Sequence, residues 1–323
     1  MYYLFRCIAV IILTIFSINW TSAKETKYVA ITAIIEHPSL DKIRQGIEDE
    51  LVDQGYTIGQ DLIIRYQSAQ GSSATAAQIA KRFVATKPDV IVPITTPSAQ
   101  TVAAATKTIP IVFAGITDPV AAKLIKNWQP SKTNITGVSD ALPLAPQVAL
   151  MLKLKPDLKT VGCVYSPSEI NSTTVLKNLR QALAEHHIDL LAVPAQKTSD
   201  VAPAARSLKG KVDLIYTTID NNVVSAYESL VKTAVESKLL LLASDPDSVE
   251  RGAAAALAIG YYQFGRQAGQ TVARILGGEH PGDIAPTISN STVLILNPAS
   301  ASQQGYSFSP DLLNTADQII SAN

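Results

Sequence analysis

Short apolar runs alternate along the chain with amphipathic ones. "YVAITAII", rich in β-branched residues, predicts a strand. "SLDKIRQGIEDELVDQG" follows it. There Leu40, Ile43, Ile47 and Leu51 recur at helical spacing, Ser39 can cap the start and Gly55 the end. The same punctuation repeats through "DLIIRYQSA", "DVIVPIT" and "IPIVFAGI", each followed by a helical stretch. It resumes with "TVGCVYS", a long helix through "TTVLKNLRQALAEHH", and then "IDLLAVPA", "VDLIYTTI", "KLLLLASD" and "AAAALAIG". Strands that are apolar on both faces imply parallel sheets with helices on both sides.

About ten strands are too many for one compact open sheet of this class. The predicted fold is therefore α/β, with two doubly wound parallel-sheet lobes. Gly and Pro break the rhythm at "NITGVSDALPLAPQ" (134–147), which predicts a first crossing between lobes. A second fits "AIGYYQFG" (258–265) and a third "GGEHPGDIAP" (277–286). The first lobe would then hold residues 24–141 and 259–282, the second 142–258 and 283–323.

Polar residues gather where strands end. In parallel sheets, ligands bind outside the carboxyl ends of strands, where helix starts point N–H groups outward. The first half offers Glu36 in "EHPS", Thr96 and Ser98 in "TTPSAQ", Thr117 and Asp118 in "TDPV", and Ser139 and Asp140 in "SDA". The second half offers Ser166, Glu169, Asn171 and Ser172 in "SPSEINS", Asp220 and Asn221 in "DNN", and Asp245 in "SDPD". Singly, these are ordinary capping residues, Ser98, Ser168 and Asp220 among them. Together, two such rims facing each other across a cleft would surround a small polar molecule. Tyr261, Tyr262, Tyr165 and Phe113 are candidates for an apolar slot, with Tyr261 the best placed and Phe113 and Tyr165 better read as core.

Composition narrows the partners. Of 323 residues, 47% are hydrophobic and 17% charged, so a folded core is expected rather than disorder. Formal net charge is zero, which gives no basic face for nucleic acid. Residues 1–23 run from "MYYLFR" through an apolar stretch to "TSA", the order of a secretory signal with cleavage after Ala23. An uncleaved anchor fits less well, because the stretch falls short of ~20 residues. A mature chain would keep one cysteine, Cys163, and no internal disulfide.

Enzyme signatures are scarce. There is no Gly-rich dinucleotide fingerprint, no phosphate-loop lysine motif and no "GxSxG" elbow. No cofactor is implied. Of four histidines only His37 lies near a rim, and one histidine cannot build a metal site. Glu36 and His37 could form an acid–base pair, yet adjacent residues on an extended segment point opposite ways. Glu36 is read as the rim residue and His37 as shaping the turn before Pro38.

The segments "IIEHPSLDKIRQGIEDEL", "TTPSAQTVAAATKTIPIVFAGITDPVAAKLI", "NITGVSD", "VYSPSEINS", "SDPDSVERGAAAALAIGYYQFGRQAG" and "LLNTADQII" occur in collinear order from near residue 28. As a set they resemble the periplasmic substrate-binding proteins of ABC transporters, type I fold. Within these, the chain is similar to the group associated with uptake of tryptophan or other aromatic amino acids. The resemblance implies a cleft between lobes joined by three crossovers. It also implies delivery of the ligand to a membrane permease with a cytoplasmic ATPase. The chain departs from the family pattern at Pro246 and Gly260, where relatives often carry Asp or another polar residue.

An amino acid is a zwitterion, and each charge needs a partner once buried. Thr96, Ser98, Ser166, Asn171 and Ser172 suit its carboxylate. Glu36, Asp118, Asp220 and Asp245, and less well Glu169, suit its ammonium. A sugar-binding protein of the same fold is the first alternative, and an enzyme using Glu36 and His37 the second. A ligand-sensing repressor is rejected, because it needs a helix-turn-helix and a basic face. On this reading, Ala at Asp220 or Asp245 weakens binding well over tenfold while folding stays cooperative. Unchanged affinity of both variants in a calorimetric titration removes these two residues from the site.

Overall fold

A computed structural model describes residues 25–289 and 292–321. The leader expected over residues 1–23 lies outside the described residues. From β1 (Lys27–Ala33) the chain runs through α1 (Pro38–Asp53), β2 (Leu62–Ser68), α2 (Ser73–Ala85), β3 (Val90–Ile94), α3 (Thr96–Ala105), β4 (Ile111–Ala114) and β5 (Ile135–Ser139). It then crosses to α4 (Leu144–Leu154), β6 (Thr160–Tyr165), α5 (Ile170–Ala184), β7 (Asp189–Pro194), α6 (Thr198–Arg206), β8 (Leu214–Tyr216), α7 (Asn221–Ser225), α8 (Tyr227–Ser237), β9 (Leu240–Ala243), α9 (Pro246–Glu250) and β10 (Ala255–Ile259). It returns with α10 (Tyr261–Leu276) and β11 (Thr287–Ile288), and crosses again to β12 (Thr292–Leu296), α11 (Pro298–Gln303), α12 (Pro310–Asn314) and β13 (Gln318–Ile319).

Two sheets result, in the orders β2-β1-β3-β4-β5-β11 and β7-β6-β8-β9-β10-β12-β13. All pairings are parallel except β10 with β12. Both faces of each sheet are buried under helices, which is why the strands read as unbroken apolar runs. In such sheets the parallel strands, all but β12 and β13 here, deliver their carboxyl ends to one edge of the lobe, and those edges form the cleft.

Three details differ from the sequence reading. The segment at 134–147 is not all connection: Ile135–Ser139 is the buried strand β5. Gly137, taken as a break, is there because a Cβ would collide with the Phe113 carbonyl and ring on β4. The third crossing lies later than 277–286. Thr136 Oγ1 donates to the Ile284 carbonyl at 2.9 Å, and β11 pairs with β5, so residues 283–289 belong with the first sheet. The next described residue, Thr292, begins β12 in the second sheet. Finally, α1 starts at Pro38 with His37 in the N-cap position, so Ser39 is inside the helix and does not cap it. Gly55, at φ +88, ends that helix as expected.

One helix pair sets the rigidity of the first lobe. A Cβ at Gly46 would strike the backbone of Tyr262 and Arg266, and one at Gly265 the backbone of Ile43. The backbones of α1 and α10 therefore touch. Arg266 fastens the same pair, 2.7 Å from both Glu50 and Asp53. Alanine normally stabilises a helix interior relative to glycine by ~1 kcal/mol. Here the sign reverses: Gly46→Ala and Gly265→Ala each cost about 1–3 kcal/mol through overpacking. Gly260→Ala, with open space around it, stays within about 0.5 kcal/mol in the same denaturant titration.

Candidate ligand-binding site

The two strand edges face each other and enclose a narrow inner cavity of about 10 Å³, room for one water. From the first lobe it is lined by His37 and Leu40 after β1, Thr95 after β3, Gly115 and Thr117 after β4, and Asp140 after β5. From the second come Asn171 on α5, Ile219, Asp220, Asn221 and Val224 around α7, and Asp245 at the start of α9, with Tyr261 from α10 closing the ring. A larger chamber of about 460 Å³ adjoins it, between Ile34, Ile35, Gln70, Pro97 and Gln100 on one side and Ser166, Glu169, Gln196, Lys197 and Asn222 on the other. Asn221 lines both spaces.

Of the residues singled out in the sequence, Thr117, Asp140, Asn171, Asp220, Asn221, Asp245 and Tyr261 line the inner cavity, and Ser166 and Glu169 line the outer chamber. Thr96 and Ser98 lie buried at the start of α3, between Thr95 of the first space and Pro97 of the second. Ser98 was expected to cap that helix and does not; Thr95 occupies the N-cap position. The remaining four line neither space. Glu36 is exposed. Asp118 closes a turn by accepting from the Val120 and Ala121 N–H groups at 3.1 and 2.8 Å. Ser139 donates to the Thr117 carbonyl at 3.3 Å, and Ser172 to Asp220 at 2.5 Å. Glu36 and His37 thus split the other way round from the sequence reading. His37 faces the cavity and Glu36 faces water, as the alternation of an extended segment allows in either phase. The apolar wall made by Leu40, Ile219 and Val224 carried no sequence signal, because buried aliphatics at strand exits look like core.

Hydrogen bonding separates supporting groups from available ones. Asp220 accepts four bonds from its own lobe: Ser166 N at 2.6 Å, Ser166 Oγ at 2.8 Å, Ser172 Oγ at 2.5 Å and Val223 N at 2.9 Å. A carboxylate has about four acceptor sites, so Asp220 is filled. Asp245 accepts from Ser248 N at 2.9 Å, Ser248 Oγ at 2.6 Å and Ser39 Oγ at 3.0 Å. Both aspartates cap helices, so replacing either by Ala costs about 1 kcal/mol of stability before any ligand is considered.

By contrast, His37 Nδ1, Thr95 Oγ1, Thr96 Oγ1, Ser98 Oγ, Asp140 Oδ1 and Asn171 Oδ1 are buried without a hydrogen-bond partner among the described residues. Buried polar atoms are almost always paired, and four of these, on His37, Thr95, Asp140 and Asn171, belong to residues that line the inner cavity, which requires an explanation. Thr95 adds strain, with φ +81 at a β-branched residue, a conformation that persists only where its surroundings enforce it.

The seam is also electrostatically one-sided. Among the described residues, no Lys or Arg lines the inner cavity. Burial raises Asp140 to about 6, and burial with the neighbouring Asp220 charge raises Glu169 to about 7. Burial likewise raises Asp245. His37 is pushed the other way, to about 3, by burial and the Arg251 cation, so its imidazole is neutral. Such a pocket favours an occupant that brings a positive charge at one end. At the start of α3 it offers hydroxyls and a helix dipole to a negative one.

The family described as ABC transporter substrate binding protein matches residues 28–320. The chain belongs to this family. It is 37% identical over 277 residues to a tyrosine-binding protein of Clostridioides difficile (strain R20291), covering 86% of this chain and 80% of that one. The structure of an ABC domain from Streptococcus pneumonia in complex with L-Trp superimposes with a TM-score of 0.88 at 31% identity, over 92% of this chain and all of that one. The ligand-free, open structure of a substrate-binding protein with adhesive properties from Clostridium difficile gives 0.70 at 32% identity over the same coverage. Identity and coverage being equal, the difference lies in shape. The lobes here are set closer to the ligand-bound arrangement than to the open one, in keeping with the small inner cavity.

The raised carboxylates carry a sign that can be checked. A carboxyl whose folded pKa is raised stabilises the fold below its unfolded value and loses that contribution as pH rises through the folded one. For Asp140 the loss runs from about pH 4 to about pH 6. Asp140→Asn is therefore expected to raise the unfolding free energy of ligand-free protein at pH 7.5 by on the order of 3 kcal/mol, read as a higher melting temperature, and to change it little at pH 4. Equal effects at both pH values would mean that the Asp140 carboxyl is not strained by burial.

Proposed function

We propose that this protein captures an amino acid with an aromatic or apolar side chain in the interlobe cleft and passes it unchanged to an ABC permease. The observation that carries this reading is the set of four uncommitted buried polar atoms, on His37, Thr95, Asp140 and Asn171, around a cavity that no described Lys or Arg lines. A zwitterion satisfies both halves of that set. Its ammonium pairs with Asp140, whose Oδ1 is free, while Asp220 is already filled. Its carboxylate takes the hydroxyls of Thr95, Thr96 and Ser98 at the start of α3. The inner cavity has room for one water at this lobe separation, so the ligand needs the lobes set wider, with its side chain against Leu40, Tyr261, Ile219 and Val224 or extended into the outer chamber of about 460 Å³. The names of the tyrosine-binding relative and the L-Trp complex support the aromatic class.

Contacts to both rims exist together only when the lobes are closed, so ligand binding favours closure and the permease can read it. The leader-like residues 1–23 support export, with the mature chain working outside the cytoplasm. No helix among the described residues is long and apolar enough to cross a membrane. A catalytic use of Glu36 and His37 is disfavoured because the two side chains do not converge on one space.

The amide-rich outer chamber, with Gln70, Gln100, Gln196, Asn221 and Asn222, keeps a sugar as the second reading. Calorimetric titration with L-tyrosine, L-tryptophan, L-phenylalanine, glucose and galactose separates the two. Binding of the amino acids alone, with the ligand recovered intact, is the expected result. Thr96→Val combined with Ser98→Ala should weaken L-tyrosine by about tenfold or more. Asp140→Asn should weaken L-tyrosine but not 3-(4-hydroxyphenyl)propionate, which lacks the ammonium. Saturable binding of a sugar and of no amino acid would overturn the proposal.

A further inference from the structure

Ser39 looks like a helix cap in the sequence and is something else in the structure. It sits in the first turn of α1, 1% exposed, and lines neither cavity. Its hydroxyl donates across the cleft to Asp245 Oδ1 at 3.0 Å. The two residues belong to different lobes. The other polar residues of the rims bond within their own lobe: Asp220 to Ser166 and Ser172, Glu169 to Asn171 and Asn221, Ser139 to Thr117. Asp245 is 2% exposed and lines the inner cavity, so one carboxylate faces the occupant and takes the bond from the opposite lobe.

We infer that Ser39 is a positioning residue for closure: its hydrogen bond to Asp245 latches the two lobes in the closed state and slows release of the bound ligand without touching it. The bond is well suited to being made and broken. Asp245 keeps its two bonds from Ser248 whether or not the lobes meet, so opening leaves no oxygen of the second lobe stranded. The Ser39 hydroxyl, once uncovered, returns to water. The link therefore contributes only to the closed form, which is what a latch requires. Lobe shape agrees: the arrangement in which this bond exists is the one nearer the L-Trp complex than the open relative.

The inference uses the amino-acid reading above only to choose a probe. Wild type, Ser39→Ala and Ser39→Thr are compared in the full chain. Spin labels are placed on Lys81→Cys in α2 and Glu185→Cys after α5, both exposed and one on each lobe. Cys163 is buried and escapes labelling, and Cys7 is replaced by Ser in every variant. Ser39→Ala is expected to release L-tyrosine or L-tryptophan about five- to tenfold faster with an unchanged association rate. Its ligand-free melting temperature should match wild type, its ligand-induced rise should be smaller, and its short-distance population should be reduced. Ser39→Thr, which keeps the hydroxyl, should restore wild-type release. A melting temperature lowered equally with and without amino acid would make Ser39 a structural residue and overturn the latch. So would distance distributions identical to wild type in both states. If wild type binds neither amino acid, the ligand reading falls, and the latch is decided by the ligand-free distance distributions alone.

Discussion

Burying an acidic group without a counter-charge is among the less favourable things a fold can do, and this protein does it where its two halves meet. Asp140 follows β5 at a seam with room for a single water, with one oxygen unmatched and no Lys or Arg among the described residues lining the space. Hydroxyls of Thr95, Thr96 and Ser98 are left equally unmatched nearby. A single compact domain would have repacked such groups or paired them. Two lobes connected by three chain crossings need not, because the unfavourable state exists only while they are shut. Charge and unmatched hydrogen bonds are thus one arrangement: the seam is poorly satisfied by itself, and on the proposed function a small zwitterion would satisfy it.

The same rims hold two kinds of polar residue, and the distinction between them is where function and stability separate. Asp220 is saturated by Ser166, Ser172 and the start of α7, and Asp118 and Ser139 close local turns. These groups build the walls. Asp140, His37, Asn171 and the α3 hydroxyls have capacity left over and can meet a guest. A neutral His37 fits this division, since it can donate or accept without adding a charge that the pocket would have to balance.

Much of the fold could be read from the sequence because parallel strands buried on both faces leave continuous apolar runs, and the intervening helices keep their period. What escaped reading had a physical cause in each case. The strand β5 was hidden by Gly137, whose missing side chain serves the Phe113 ring and not a turn. The short β11 carries two exposed residues and has no apolar run to betray it. At the site, residue type marked the rims, and seven of the inner-cavity residues were named in advance. Sequence could not say which oxygens were already spent on caps, nor which of Glu36 and His37 faced inward, because one extra residue of extended chain reverses the answer. Ser39 was misread for a related reason: a serine at a helix start is usually a cap, and only the opposite lobe reveals that its hydroxyl points across the cleft.

The glycine-to-backbone contact between α1 and α10 bears on transport as well as on packing. His37 and Ser39 stand at the beginning of α1, and Tyr261 begins α10. Because Gly46, Gly265 and Gly269 let these helices interlock along their length, the three residues cannot shift independently. A guest that pressed on Tyr261 would therefore also bear on His37 and Ser39 at the start of α1. Selectivity in such a device is partly mechanical: a guest of the wrong width is refused not by the group it touches but by the gap it leaves elsewhere along the edge.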